Sequence, residues 1–254
     1  PIYFSLPLTI LWITGIINAI NIIDNMDGLS SGVSSIILSS FAFMAYSQND
    51  EITFLISVSL LGACLGFLVF NFSPAKIFMG DSGSLFIGIV LAILSLKISG
   101  NETNIFSILL VPTLLLIFPI FDTTLVTINR FLNRTPISRG GIDHTSHRLV
   151  GLGLSEKKVV LLLYSISACF CLIVIYFSRG GLRTWSLIFI ITFCALGIVG
   201  LFLSYYANNE PELLHSANDS HYIFKTIVQY KKQILEVLFD AMIIIFSFSF
   251  AHYL

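Results

Sequence analysis

The sequence predicts an all-α, polytopic integral membrane protein of about eight transmembrane helices, with its polar loops gathered on the cytoplasmic side. Three observations predict this. The chain is 56% hydrophobic and 11% charged, with a mean hydropathy of +0.92, whereas soluble domains run at about 45–50% apolar and about 25% charged. Apolar runs of about 20 residues, the length that spans a hydrocarbon core, recur along it. Its basic residues fall mostly on one side of those runs.

Taken in order, the runs are Tyr3 to Ile20, Leu29 to Ser47, Ile52 to Phe72, Ser84 to Ile98, Ile105 to Ile128, Val159 to Phe177, Thr184 to Tyr206 and Ile234 to Leu254. The fourth is short, and its ends are the least sharply marked. In the second, Ser31, Ser35 and Ser39 recur every four residues, which predicts a close helix-packing face. Cys64, Cys169, Cys171 and Cys194 lie inside apolar runs without metal-ligand spacing, and small buried hydrophobes are what free cysteines usually are. If the connections alternate sides, one side receives Lys76, Arg130, Arg134, Arg139, Arg148, Lys157, Lys158, Lys225, Lys231 and Lys232, and the other only Lys97, Arg179 and Arg183. That asymmetry assigns the loops Asn21–Gly28, Asn71–Gly83, Asn129–Lys158 and Ala207–Gln233 to the cytoplasm. With no initiator Met, no signal peptide and hydrophobic runs at both ends, the chain is expected to be part of a longer protein.

Three polar clusters fall in those loops. In NAINIIDNMDGLSSG, Asn18, Asn21, Asp24 and Asp27 recur at a strict three-residue interval. Each such step stops about 60° short of a full helical turn, so Asn18, Asn21 and Asp24 share a face, Asp27 has rotated away, and Gly28 reads as a helix stop. Lipid penalises all of these groups. Polar capping at the interface is the plainer alternative, and it leaves the regular interval unexplained.

In the second cluster, FNFSPAKIFMGDSGSLFIG, Pro74 and Gly80 break the helices on either side. The backbone amides of Gly80, Ser82, Gly83 and Ser84 are left open beside Asp81 at a helix start, a setting that attracts phosphate. A carboxylate there repels phosphate unless a cation lies between them. Asp81 therefore reads as a ligand for Mg²⁺ or Mn²⁺, which bind through few side chains plus waters and substrate phosphates. A tight turn with an N-cap Asp is the alternative.

The third cluster, RFLNRTPISRGGIDHTSHRLVGLGLSEKK, centres on Asp143, His144, His147 and Arg148, whose donors suit a diphosphate. Zinc at the His-x-x-His pair lacks a third ligand apart from Asp143, and an ordinary basic loop stays open as a reading. Asp122, in LLLIFPIFDTTLVTINRFL, is an acid inside a spanning run: a functional candidate by default, or half of a structural pair with a basic residue. His215 and His221 read as solvated.

Taken jointly, NAINIIDNMDGL, FNFSPAKIFMGDSGSLFIG and GGIDHTSHRL resemble, in order, spacing and sidedness, the signature segments of the polyprenyl-phosphate N-acetylhexosamine-1-phosphate transferases of glycosyltransferase family 4. The similarity runs from Leu6 to Tyr206. It implies cytoplasmic catalytic loops and a Mg²⁺-dependent reaction, with Mn²⁺ as a substitute, at the inner (plasma) membrane. There a polyprenyl phosphate such as undecaprenyl phosphate attacks a UDP-sugar, with N-acetylglucosamine the expected sugar, giving lipid-diphosphate-sugar and UMP and starting an envelope polysaccharide. The resemblance implies metal binding by Asn21 and Asp81, catalysis by Asp24 and Asp27, and substrate binding by His144, His147 and Arg148; Asp81 is also expected to serve catalysis, and Asn18, Lys76, Gly80 and Ser82 substrate binding. Asp122 and Asp143 stand beside these as further candidates. The expected partners are the UDP-sugar, the lipid phosphate and the membrane, with no nucleic acid; a homodimer is left open.

The same resemblance divides the chain into a transferase membrane domain over residues 1–206, a cytoplasmic linker over 207–233 and an additional helix over 234–254. That helix resembles the first membrane segment of nucleotide-sugar epimerase/dehydratase proteins of polysaccharide synthesis. Two features depart from the family pattern. The chain contains no Asp-Asp pair, which the family carries on an upstream loop, and DHTSHRL stands where a more histidine-rich segment is usual. The segment alone is therefore expected to bind UDP-sugar weakly and not to turn over.

The chemistry agrees with this reading. A lipid phosphomonoester, with a second pKa of about 6, is largely dianionic at neutral pH, so it needs charge neutralisation and in-line placement more than a general base. A covalent aspartyl-phosphate route through Asp24 or Asp27 is the alternative chemistry. A transporter or flippase is the alternative class, and it predicts polar residues spread through the bilayer depth, whereas here they gather at one surface. A membrane scaffold gives the Asn/Asp interval no reason.

Overall fold

The structure is a computed structural model that describes residues 2–98, 105–132, 134, 141, 143–177 and 182–209. Its elements are α1 (Ile2–Ile23), α2 (Leu29–Ser47), α3 (Glu51–Asn71), α4 (Gly80–Ile98), α5 (Ile105–Leu115), α6 (Ile117–Leu132), α7 (Thr145–Gly151), α8 (Glu156–Tyr176) and α9 (Leu182–Asn209). No strand occurs among the described residues. Helices α1, α2, α3, α4 and α8 are each long and apolar enough to cross a bilayer, so the protein is an all-α, multi-pass membrane protein.

The fifth predicted span is two helices. Pro119 has no N–H to give the carbonyl of Leu115, and the helix breaks at Leu116 before resuming as α6. Helix α9 runs on to Asn209, three residues into the stretch expected to be linker. The rest of that linker, the helix predicted over 234–254, His215, His221, Arg139, Arg179, Lys225, Lys231 and Lys232 lie outside the described residues.

Helix α2 is the hub of the bundle. It packs against α3 and α8, while α1 packs against α4 and α6, and α5 lies against α8 and α9. Ile37, Leu38 and Phe41 of α2 are fully buried, together with Ile20 of α1, Leu91 of α4, Leu114 of α5 and Leu163 of α8. Small residues permit the closest approaches, as expected where apolar lipid gives helices little hydrophobic reason to associate. A Cβ on Gly88 would lie 2.8 Å from the Ile17 backbone, so α4 and α1 meet main chain to main chain. A Cβ on Gly32 would fall 2.0 Å from the Tyr164 ring.

Two expectations about packing need correction. Ser31 and Ser35 are buried, but Ser39 is exposed. Each four-residue step advances about 40° beyond a full turn, and by Ser39 the stripe has drifted onto the narrow strip, with Phe43 and Tyr46, that α2 leaves uncovered. Cys64 and Cys171 are buried, whereas Cys169 and Cys194 are exposed on the bundle surface. In a bilayer an apolar run carries lipid-facing as well as core-facing positions, and both suit cysteine.

The connections sort to two ends. The turn between α1 and α2, the loop between α3 and α4, and the segment from α6 through α7 to α8 share one end, tied together by hydrogen bonds between them. The turn between α2 and α3 and the last turn of α4 meet at the other.

Candidate functional site

The site grows from the last turn of α1. There the Nδ2 of Asn21 donates to Asp81 Oδ1 at 3.0 Å and to Ser84 Oγ at 2.9 Å, which joins the first polar cluster to the opening turn of α4. The three-residue interval predicts one helical face for Asn18, Asn21 and Asp24, but α1 ends at Ile23. Asp24 therefore sits in the turn beyond, its amide donating to the Asn21 carbonyl at 3.2 Å. Asn18 stays on α1 and is exposed. Gly28 does not stop α1. It opens α2 with φ +77, a left-handed conformation where a side chain would be strained.

Asp27 and Asn71 lock this turn to the next loop. Asp27 Oδ2 accepts from the Ala75 amide at 2.9 Å. Buried Asn71, the last residue of α3, accepts on Oδ1 from the Gly28 amide at 3.1 Å and the Ser31 hydroxyl at 3.2 Å, and donates to the Ile77 carbonyl at 2.9 Å. The Tyr164 hydroxyl, from α8, donates to the Gly28 carbonyl. Asn71 is absent from the sequence-based site; the available signal was a lone amide closing an apolar run.

The third cluster folds back onto the first. The Ser146 hydroxyl donates to Asn25 Oδ1 at 2.6 Å. Buried Asp122 accepts from the Thr145 amide at 2.6 Å and faces His144 Nδ1 at 3.0 Å. Arg130 grips Asp143 through Nε at 2.8 Å and Nη2 at 2.7 Å, while buried Arg148 donates Nε to the Asp143 carbonyl at 2.7 Å. Of the candidate substrate residues, Lys76, Gly80 and Ser82 are exposed at this end. His144 and Arg148 are buried, and His147 is half-buried.

The charges are set by these surroundings. Burial, and then the neighbouring charge of Asp81, push the Asp24 carboxyl up to about 6. Burial lowers His147, and His144 adds to that effect against the pull of Asp122, Glu156 and Asp143; the net shift favours the neutral ring. Burial pushes the Asp143 carboxyl up, but it is outweighed by the Arg130 fork and by hydrogen bonding, which hold the group below the usual carboxylate range.

Asp24 and Asp81 repel each other, and the groups around them are oxygen donors and an amide. Such a set fits a hard divalent cation, which would relieve the repulsion. Among the described residues no three His, Cys, Asp or Glu side chains gather as a ligand set. Mg²⁺ does not require one, because it binds through one or two carboxylates with waters and phosphates completing its shell.

Comparison with known proteins bears on the same residues. Residues 1–99, which hold the first two polar clusters, match the model of Glycosyl transferase family 4. The chain is 45% identical over 189 residues to a Bacillus subtilis protein named "Probable undecaprenyl-phosphate N-acetylglucosaminyl 1-phosphate transferase", covering 74% of this chain and 52% of that one. It is 36% identical over 181 residues to the decaprenyl-phosphate N-acetylglucosaminephosphotransferase of Mycolicibacterium smegmatis, covering 63% and 44%. It is also 36% identical over 171 residues to the phospho-N-acetylmuramoyl-pentapeptide-transferase of Clostridium beijerinckii, covering 66% and 49%. The chain thus spans about half the length of the curated relatives it matches.

Proposed function

Because this chain belongs to glycosyl transferase family 4, we propose that the whole protein transfers N-acetylglucosamine 1-phosphate from its UDP-sugar to a polyprenyl phosphate, releasing UMP. The site faces the cytoplasm from the plasma membrane, and the product starts an envelope polysaccharide. The observation that carries this reading is the contact of Asn21 with Asp81 and Ser84, at 3.0 and 2.9 Å, which draws the first two polar clusters into one oxygen-rich centre. Undecaprenyl phosphate is the preferred acceptor, because the Bacillus subtilis relative is named for it and matches at the higher identity.

In this reading Asn21 and Asp81, with Asp24 beside them, hold Mg²⁺, or Mn²⁺ in its place. Such an ion neutralises charge on a transferring phosphoryl group. Lys76 and the Gly80 and Ser82 amides receive diphosphate oxygens at the water-facing rim. His144, His147 and Arg148 bound the other side, with Asp143 fixing Arg130 and Arg148 around it. Asp27, tied to the Ala75 amide, keeps the two loops in register. A dianionic acceptor oxygen attacks the sugar-linked phosphorus, the P–O bond to UMP breaks, and no base is required to generate the nucleophile.

The test is incubation of the full-length protein with polyprenyl phosphate, Mg²⁺ and a panel of UDP-sugars. UMP release should require the lipid phosphate and disappear with a chelator. No UMP from any donor would overturn the proposal.

A further inference from the structure

A tightly enclosed ionisable contact joins α6 to the start of α7. Asp122 is 1% exposed and His144 8%. The carboxylate receives the Thr145 amide on Oδ1 at 2.6 Å and faces His144 Nδ1 from Oδ2 at 3.0 Å. His144 is the residue before α7 and Thr145 its first residue, so one buried side chain on a neighbouring helix fixes both the origin of α7 and the ring that precedes it. Water has little access to replace either bond.

We infer that Asp122 is the positioning residue of His144, holding its ring protonated at Nδ1 and leaving Nε2 bare, an acceptor offered to a hydroxyl or N–H of the sugar donor. The last clause rests on the proposed function. Asp122 acts through His144 and touches no substrate itself. The reason is elementary: a carboxylate only accepts, so the ring nitrogen facing it carries the proton, and the partner of one nitrogen decides what the other can do. Fixing the tautomer also fixes the ring plane, beside a His147 ring whose centroid lies 6.2 Å away. Outer partners that orient functional histidines in this way are a general device.

The substitution Asp122→Asn separates positioning from packing, because the Thr145 amide decides how the new side chain sits. A main-chain N–H can only donate, so it claims the Asn carbonyl oxygen and turns the NH₂ toward His144 Nδ1. That nitrogen must then accept, and the ring proton moves to Nε2. The experiment is ¹⁵N NMR of histidine-labelled full-length protein in bilayers, with the His144 signals identified by their loss in His144→Gln. Wild type should be protonated at Nδ1 and Asp122→Asn at Nε2. The Asn variant's kcat for UMP release should fall by about 10- to 100-fold, with KM for polyprenyl phosphate changed by less than about twofold.

A wild-type ring bare at Nδ1, or an unchanged tautomer in a folded Asn variant, would overturn the inference. If that variant does not fold, the wild-type spectrum decides alone. Failure of the proposed function is read separately: absence of UMP with every donor would remove the sugar donor as ligand, while the spectra would still decide whether Asp122 sets the His144 tautomer.

Discussion

Where α1 turns into α2 and α3 into α4, polar groups reach across elements far apart in the chain: Asn21 to Asp81, Asp27 to Ala75, Asn71 to Gly28, Ser146 to Asn25. At the opposite end the polar groups mostly serve their own helices. Asp50 caps α3 by accepting from the Thr53 amide at 3.2 Å and its hydroxyl at 2.5 Å, and the cross-helix ion pair it makes with Lys97, at 3.1 Å, stands half in the open. The difference is one of purpose. Ending a helix needs a local acceptor, whereas a site for charged phosphates needs donors and carboxylates from separate loops held in fixed relation.

The severest way to break this comparison is Asp81→Asn. The amide keeps the size of the carboxylate and a hydrogen bond to Asn21, so the bundle should fold as before, while UMP release from the full-length protein should fall by about 10²–10³-fold or more. Near-normal turnover in a folded variant would reduce the cross-linked end to a structural clamp.

Next in size is a backbone test. Gly32→Ala puts a methyl group into the Tyr164 ring, whose hydroxyl holds the Gly28 carbonyl, and should destabilise the protein by about 1–3 kcal/mol. Gly66→Ala on α3, where a Cβ would meet nothing within 4 Å, should be neutral or stabilising by up to about 1 kcal/mol. Thermal unfolding in one detergent compares the two. Equal shifts would show that α2 is no more tightly constrained near the site than α3 is along its length.

Much of this organisation was legible in the sequence, for reasons the two ends make plain. Spanning helices announce themselves because about 20 apolar residues have few other uses, and α2, α3 and α8 fall almost where the runs place them. The Asn21 and Asp81 pairing was suggested by the family resemblance, which gives both to one metal, and by the assignment of both loops to one side. The break at Leu116 was missed because membrane helices often absorb proline. Asn71 was missed because a single amide at the end of an apolar run looks like a boundary marker. The contact of Asp122 with His144 spans 22 residues, and no local pattern says that the intervening segment doubles back.

Arg148→Lys should have an intermediate effect. The charge survives, but the planar fork whose Nε holds the Asp143 carbonyl is lost. A loss of about tenfold in kcat/KM for the UDP-sugar is expected from weaker placement of the His144 to Arg148 segment. Unchanged kinetics would make this loop an ordinary basic connection and confine the site to the first two clusters.

The smallest effect is expected at the far end, and its smallness is the point. Lys97→Met removes the partner of Asp50 from an ion pair whose side chains are 43% and 28% exposed, and pairs of this kind contribute about 0.2–1 kcal/mol. Asp50 keeps its main support without Lys97: the Thr53 side chain and then its amide are what chiefly hold the carboxyl below the usual range, with Lys97 adding less. A carboxyl depressed in the folded state stabilises above its unfolded pKa, and that contribution fades as the pH falls through the lower native value. The Lys97→Met variant should therefore keep nearly all of this acid-sensitive stability, show normal UMP release, and differ least from wild type at high salt, where an exposed pair is screened. Asp50→Ala, which removes the cap itself, should cost about 1 kcal/mol in unfolding and still leave turnover intact. A marked loss of UMP release in either variant would mean that the two ends are coupled through the bundle, and that the division between a helix-ending side and a site-building side is false.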